Sequence, residues 1–222
     1  MHHIQRKILN LLMHSPSLQY AQMRPKGVES NHFAYHLDQL VRNKLIIKEN
    51  RKYSLTSGGL ALADRVSHAS MTPRIQPHIV TTICVTNDQG ETLLFEHMFQ
   101  PYLNTVGFPQ GRMHFEETTA QAAARELAEK TGLVDVILEH RGIAYIHAQK
   151  DQQTISKILS HVFTGIVSGQ PYAAVQDPTK GRAFWGNIAD YTPKNTMPGF
   201  LAIAQRLQSA HSLFFEEITE QL

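Results

Sequence analysis

The most chemically pointed stretch of this 222-residue chain holds two glutamates, Glu126 and Glu129, followed by Lys130. Thr118 with Gln121 gives a capping-box signature, the alanines at 120 and 122–124 with Leu127 favour helix, and Gly132 ends it. Residues 126, 129 and 130 then stand at i, i+3 and i+4 and project from one face. Carboxylates gathered in this way repel one another unless a cation lies among them. They suit a hard divalent ion, Mg²⁺ or Mn²⁺, which takes oxygen ligands and usually keeps several waters. Such an ion bridges phosphate oxygens and helps activate water for attack at phosphorus. Arg125 is placed to ion-pair with Glu117 and so to lock the preceding loop onto the helix. That loop, residues 107–111, begins and ends in glycine, which lets backbone come close to a metal and to phosphates.

Residues 107–133 resemble a Nudix box. The family pattern is G-x5-E-x7-R-E-U-x-E-E-x-G-U, with U apolar. Gly111, Glu117, Arg125, Glu126, Leu127, Glu129, Gly132 and Leu133 fall at the required places. An amphipathic surface helix with scattered acids is the bland alternative, and it does not account for Gly111, Glu117 and Gly132 together. The resemblance implies an α/β/α sandwich with a mixed sheet and a substrate whose diphosphate is linked to another moiety, usually a nucleoside. It implies hydrolysis at a phosphoanhydride. Carried over, Glu126, Glu129 and Arg125 are the catalytic candidates. Glu126, Glu129 and Gly111 are the metal candidates. Gly111, Arg112, Glu117 and Lys130 are the substrate-binding candidates. The local Phe108-Pro-Gln-Gly111 is similar to Nudix enzymes acting on dinucleoside polyphosphates and RNA 5′ ends.

Lys130 departs from the pattern, since the family places a glutamate there. The charge changes from −1 to +1 at the centre of the site, and at ~4 Å with an effective dielectric near 20 each unit charge is worth about 4 kcal/mol. Two expectations follow: a working pyrophosphohydrolase, or a sensor that binds a nucleotide metabolite with Lys130 standing where a metal would be. A third arrangement turns Lys130 to solvent and completes the site with Glu116 or a later acid.

These residues need a scaffold, and composition divides the chain in two. The overall charge of +2 combines ten Lys/Arg against four acids in residues 1–70 with eleven against fifteen in the remainder. A basic module joined to an acidic one suggests separate tasks, nucleic acid for the first and metal for the second. Residues 69–77, with two prolines and no apolar period, read as a linker between domains at 1–68 and 78–222. Ahead of it, Ile4, Ile8, Leu11 and Leu12 mark one helix, Leu18–Met23 a short second, and Phe33, Leu37, Leu40 and Val41 a third over about 29–43. Two β-prone runs, 45–48 and 52–55, and a last helix near 60–66 follow. This order, with Asn31–Leu40, Lys44-Leu-Ile46 and Tyr53–Gly59, resembles bacterial and archaeal winged helix-turn-helix regulators, with Lys44 in place of the usual glycine. In such domains the third helix enters the major groove and the wing meets backbone. Ser30, Asn31, His32, Tyr35 and His36 are then the groove-side candidates, and Lys48, Arg51 and Lys52 the phosphate candidates on double-stranded DNA. Binding of protein, or dimerisation alone, is the alternative use of the module.

Downstream, 78–86 and 91–95 read as strands around an Asn87–Gly90 turn, 160–169 as a further strand, 182–186 as a short apolar run, and 198–207 and 211–221 as helices. Asp151 and Asp177 are candidates for an additional loop acid. Tyr102, Phe108, Phe115 and Trp185 are candidates for stacking on a base. His114, His147 and His161 lack metal-ligand spacing. No apolar run approaches the ~20 residues of a membrane span. The single Cys84 excludes an internal disulfide and fits a cytoplasmic setting. A homodimer is compatible with both modules.

Overall fold

The computed structural model describes residues 1–67, 71–168, 176–177, 181–209 and 212–222. The chain forms two compact units, Met1–Ile75 and Gln76–Leu222. Residue 68 and residues 69–70 of the expected linker lie outside the described residues.

In the first unit, α1 (His3–Met13), β1 (Leu18–Gln19), α2 (Tyr20–Met23) and α3 (Ser30–Arg42) precede β2 (Ile46–Glu49), β3 (Lys52–Leu55) and α4 (Ser57–Arg65). The apolar periods close on one core in which Ile4, Ile8, Leu12, Phe33, Leu37 and Leu40 are buried. The strands form an antiparallel sheet in the order β1-β3-β2. Leu18–Gln19, expected as helix, is extended because it pairs with Tyr53 and Lys52. Lys44 adopts φ 54°, the left-handed region a glycine enters freely. Its carbonyl accepts from the Thr56 hydroxyl, which also caps α4 at Gly59. Asn50 and Arg51 both have positive φ, as a two-residue hairpin turn requires.

The second unit is an α/β/α sandwich with a mixed sheet. Its strands are β4 (His78–Asn87), β5 (Thr92–His97), β6 (Val106–Gly107), β7 (Gln110–Arg112), β8 (Glu139–Lys150), β9 (Gln153–Val167), β10 (Gln176–Asp177), β11 (Gly181–Gly186) and β12 (Phe214–Gln221). The order is β10-β11-β5-β4-β9-β8-β12, with β6 on β5 and β7 on β4; β4–β9 and β8–β12 are parallel. Helices α5 (Thr119–Thr131) and α6 (Phe200–Ser209) contribute to separate cores. Alternation along β4 distributes its side chains between them: Ile83 and Val85 join Leu127 of α5, whereas Val80 and Cys84 join Phe200 and Ile203 of α6.

Within the helix expected at 211–221, whose first residue lies outside the described residues, Phe214–Gln221 is a strand. Phe214 and Ile218 are its buried residues, and a spacing of four fits a helix stripe and a strand face equally. Full parallel pairing with β8, from Phe214 opposite Gly142 to Gln221 opposite Gln149, decides between them.

Candidate functional site

The site is assembled on α5 and the turn packed against it. Thr118 caps α5 by accepting from the Gln121 amide at 3.3 Å, and the Gln121 side chain accepts from the Thr118 amide at 2.9 Å. Gly132 closes the helix at φ 75°. Ala122, Ala123, Glu126 and Leu127 share the buried face of the helix, which packs on β4 and β7. The Glu126 carboxylate occupies the space above Gly111. A Cβ on residue 111 would come within 1.8 Å of Glu126 Cδ and 1.9–2.1 Å of its oxygens. Gly111 is therefore required for close approach.

Arg125 is the hub of the charged cluster. It donates to Glu117 Oε1 at 2.5 Å and Oε2 at 2.9 Å, to the Arg112 carbonyl at 3.1 Å and to Glu126 Oε1 at 2.8 Å. Glu129 Oε2 lies 3.5 Å from the same guanidinium nitrogen that holds Glu126, so the two glutamates converge. Glu117 also accepts from the His114 amide at 2.8 Å. The Arg125 hydrogen bonds, with that amide, pull the Glu117 carboxyl down to about 2, and Glu117 in turn raises the Arg125 pKa.

Lys130 points into the site. Its Nζ is 3.5 Å from Glu126 Oε2 and 4.9 Å from the centre of the Phe95 ring, and the side chain is 21% exposed. Both oxygens of Glu126 are thereby engaged by cations. Glu117 is engaged by Arg125, and Glu129 is 56% exposed. A divalent ion needs carboxylate oxygens free of competing cations. Lys130 seated on Glu126 competes with a Mg²⁺ or Mn²⁺ ion for that carboxylate, while the exposed Glu129 stays open to one.

A cleft of about 440 Å³ opens beside these groups. Gly111, Arg112, Glu126 and Lys130 form one side of it, with His97, Phe99 and Tyr102 from the β5 end and Ser156 from β9. Arg112 donates to His78 Nε2 at 3.2 Å. Glu117, Arg125 and Glu129 do not line this cleft; Glu117 instead borders a shallower depression with His114, Phe115 and Glu116. A larger cavity of about 690 Å³, near Cys84, Ile137 and Arg141, contains none of the sequence-nominated catalytic or binding residues. The smaller cleft brings together four of the nominated residues, Gly111, Arg112, Glu126 and Lys130.

Sequence reasoning missed His97. It is 5% exposed, and neither ring nitrogen has a hydrogen-bond partner. Burial, reinforced by the charge of Lys130, lowers its pKa to about 4, so it faces the cleft neutral. A lone histidine at a strand end carries no local signal. Of the aromatic candidates, Tyr102 lines the cleft with its hydroxyl on Ser156. Phe108 is buried against Phe200, Phe115 is 88% exposed, and Trp185 packs on the α5-side core. Asp151 sits at the β8–β9 turn with φ 51°, and the Asp177 side chain lies outside the described residues. His147 contacts Thr154, and His161 contacts His140.

In the first unit, Ser30, Asn31, His32 and Tyr35 are exposed on α3, and Lys48, Arg51 and Lys52 are exposed on the β2–β3 hairpin. His36 is buried, with its ring stacked on His2.

Residues 76–203 match the NUDIX domain family, more than half of the chain, and the protein belongs to that family. Solved structures are similar to this chain, one of them with a TM-score above 0.5. The mutator MutT protein from Bacillus halodurans is 20% identical over 65% of this chain and 90% of its own, with a TM-score of 0.51. A NUDIX hydrolase from Nitrosomonas europaea is 15% identical, covering 70% and 86%, at TM-score 0.48. The NUDIX domain of Shewanella oneidensis NrtR, solved with ADP ribose, is 20% identical, covering 69% and 97%, at TM-score 0.49. No curated protein matches the chain. Nudix hydrolases generally use divalent metal ions. Among the described residues no helix is long and apolar enough to cross a membrane.

Proposed function

We propose that the second unit binds a nucleoside diphosphate linked to another moiety, that Lys130 supplies the cation facing the diphosphate, and that metal-dependent turnover is weak. One observation carries this reading: the Lys130 ammonium stands inside the cleft, 3.5 Å from Glu126, where the family's pattern calls for a further carboxylate. Arg112 and the backbone at Gly111 lie on the same side and are suited to phosphate oxygens. The aromatic edge at Phe99 and Tyr102 is suited to the nucleoside.

The first unit is proposed to be a winged helix-turn-helix, spanning about 1–68 and acting as the output on double-stranded DNA. Its helix order, the β1-β3-β2 sheet and the exposed cations of the hairpin support this. The units would then form a ligand-responsive regulator.

The test is phosphate release from ADP-ribose, dinucleotides and nucleoside triphosphates with Mg²⁺, for wild type, Lys130→Glu and Glu129→Gln. The sensor reading expects little wild-type turnover, a gain in Lys130→Glu, and DNA binding that responds to ligand. Robust wild-type turnover abolished by Glu129→Gln would establish a metal-dependent pyrophosphohydrolase instead.

A further inference from the structure

The first unit gathers three imidazoles that the diphosphate reading leaves unused. His32 and His36 stand one turn apart on α3, with their Nε2 atoms 3.1 Å apart. His2, the N-cap of α1, stacks on His36 at 4.0 Å between ring centres and lies 5.7 Å from the His32 ring. One ring nitrogen from each of the three lies within 4.8 Å of the other two. His36 is 7% exposed, and its Nδ1 has no hydrogen-bond partner. A buried polar nitrogen without a partner costs free energy.

We infer that His2, His32 and His36 form a binding site for one divalent transition-metal ion of the imidazole-preferring class, such as Zn²⁺ or Ni²⁺. Metal–nitrogen bonds near 2.0–2.1 Å in a tetrahedral site put ligand nitrogens about 3.3 Å apart. The His32–His36 pair is already close to that spacing, and His2 must close by a side-chain rotation. His2 and His32 are exposed and have room for it. Three protein ligands leave the fourth position to water. Mg²⁺ prefers oxygen and would not compete. The bound ion would fasten the start of α1 to α3, the helix proposed to face DNA.

Equilibrium dialysis of the full chain against Zn²⁺ in excess Mg²⁺ tests the assignment. One zinc per chain is expected. His32→Gln and His2→Gln, both at exposed positions, should each weaken binding at least tenfold, with far-UV circular dichroism unchanged. His140→Gln, in the other histidine pair, should not. Absence of retained zinc, or equal retention in His32→Gln and His2→Gln, would overturn the site. Loss of zinc in Glu126→Gln rather than in those variants would place the ion in the cleft and overturn it as well. Because the site lies in the first unit, its failure leaves the diphosphate reading untouched.

Discussion

Replacing Lys130 with methionine keeps most of the side-chain volume over Phe95 and removes only the charge. The ammonium is 3.5 Å from Glu126 Oε2, which at an effective dielectric near 20 corresponds to a Coulomb attraction of about 5 kcal/mol. That figure is an upper bound, because the side chain is 21% exposed and water screens it; fully exposed pairs are worth ~0–1 kcal/mol. A hydrogen bond to a charged partner contributes roughly 1.5–3 kcal/mol. If Lys130 donates to the diphosphate, its loss should lower affinity by about one to two orders of magnitude. The measurement is isothermal titration with ADP-ribose in EDTA at constant ionic strength, so that no metal contributes. Lys130→Arg should recover part of the affinity. Binding by Lys130→Met within twofold of wild type would refute the role of this cation.

Other expectations concern the same unit. Gly111→Ala forces Glu126 out of its place, breaking its contacts with Arg125 and Lys130; overpacking of this kind costs about 1–3 kcal/mol, readable by urea unfolding followed through Trp185, the only tryptophan. His97 is neutral when folded and has a pKa near 6.5 when unfolded. Stability is therefore unaffected above pH 6.5 and falls as pH drops toward 4, by on the order of 3 kcal/mol; His97→Phe should flatten this slope in the same assay. Glu117 has linkage of the same sign in a lower window: its folded pKa is depressed, so its contribution is full above about pH 4.5 and is lost as pH falls toward 2. Glu117→Gln should shift the acid-unfolding midpoint toward neutrality while leaving pH 7 binding weakened only through the loosened 113–118 loop. Thr118→Ala removes the α5 cap and should cost ~1 kcal/mol by urea titration.

The residues of α5 were legible because their information is local. Cap, apolar stripe, acid spacing and terminal glycine all sit within one helix and the turn before it. Gly111 was legible as a glycine, but the reason for it, the Glu126 carboxylate filling its Cβ position, needs tertiary structure. On the other wall of the cleft only Tyr102 was legible, as a stacking candidate. His97 ends β5 and Tyr102 comes after it, whereas Ser156 belongs to β9, and only the pairing of strands distant in sequence brings them together. The same holds in the first unit. His32 and His36 share a helix face by spacing, yet His2 joins them only because α1 packs on α3. The error at 211–221 has the same root, since Phe214 and Ile218 satisfy two periodicities and only a neighbouring strand selects one.

Strand β12 shields the outer edge of β8 over eight consecutive registers. Without it, a long row of β8 amides and carbonyls would be left without partners, and such an edge recruits other chains. Shortened forms that lack residues 214–221 should therefore precipitate or self-associate even with α5 and the cleft intact, and activity lost on such trimming would say nothing about chemistry.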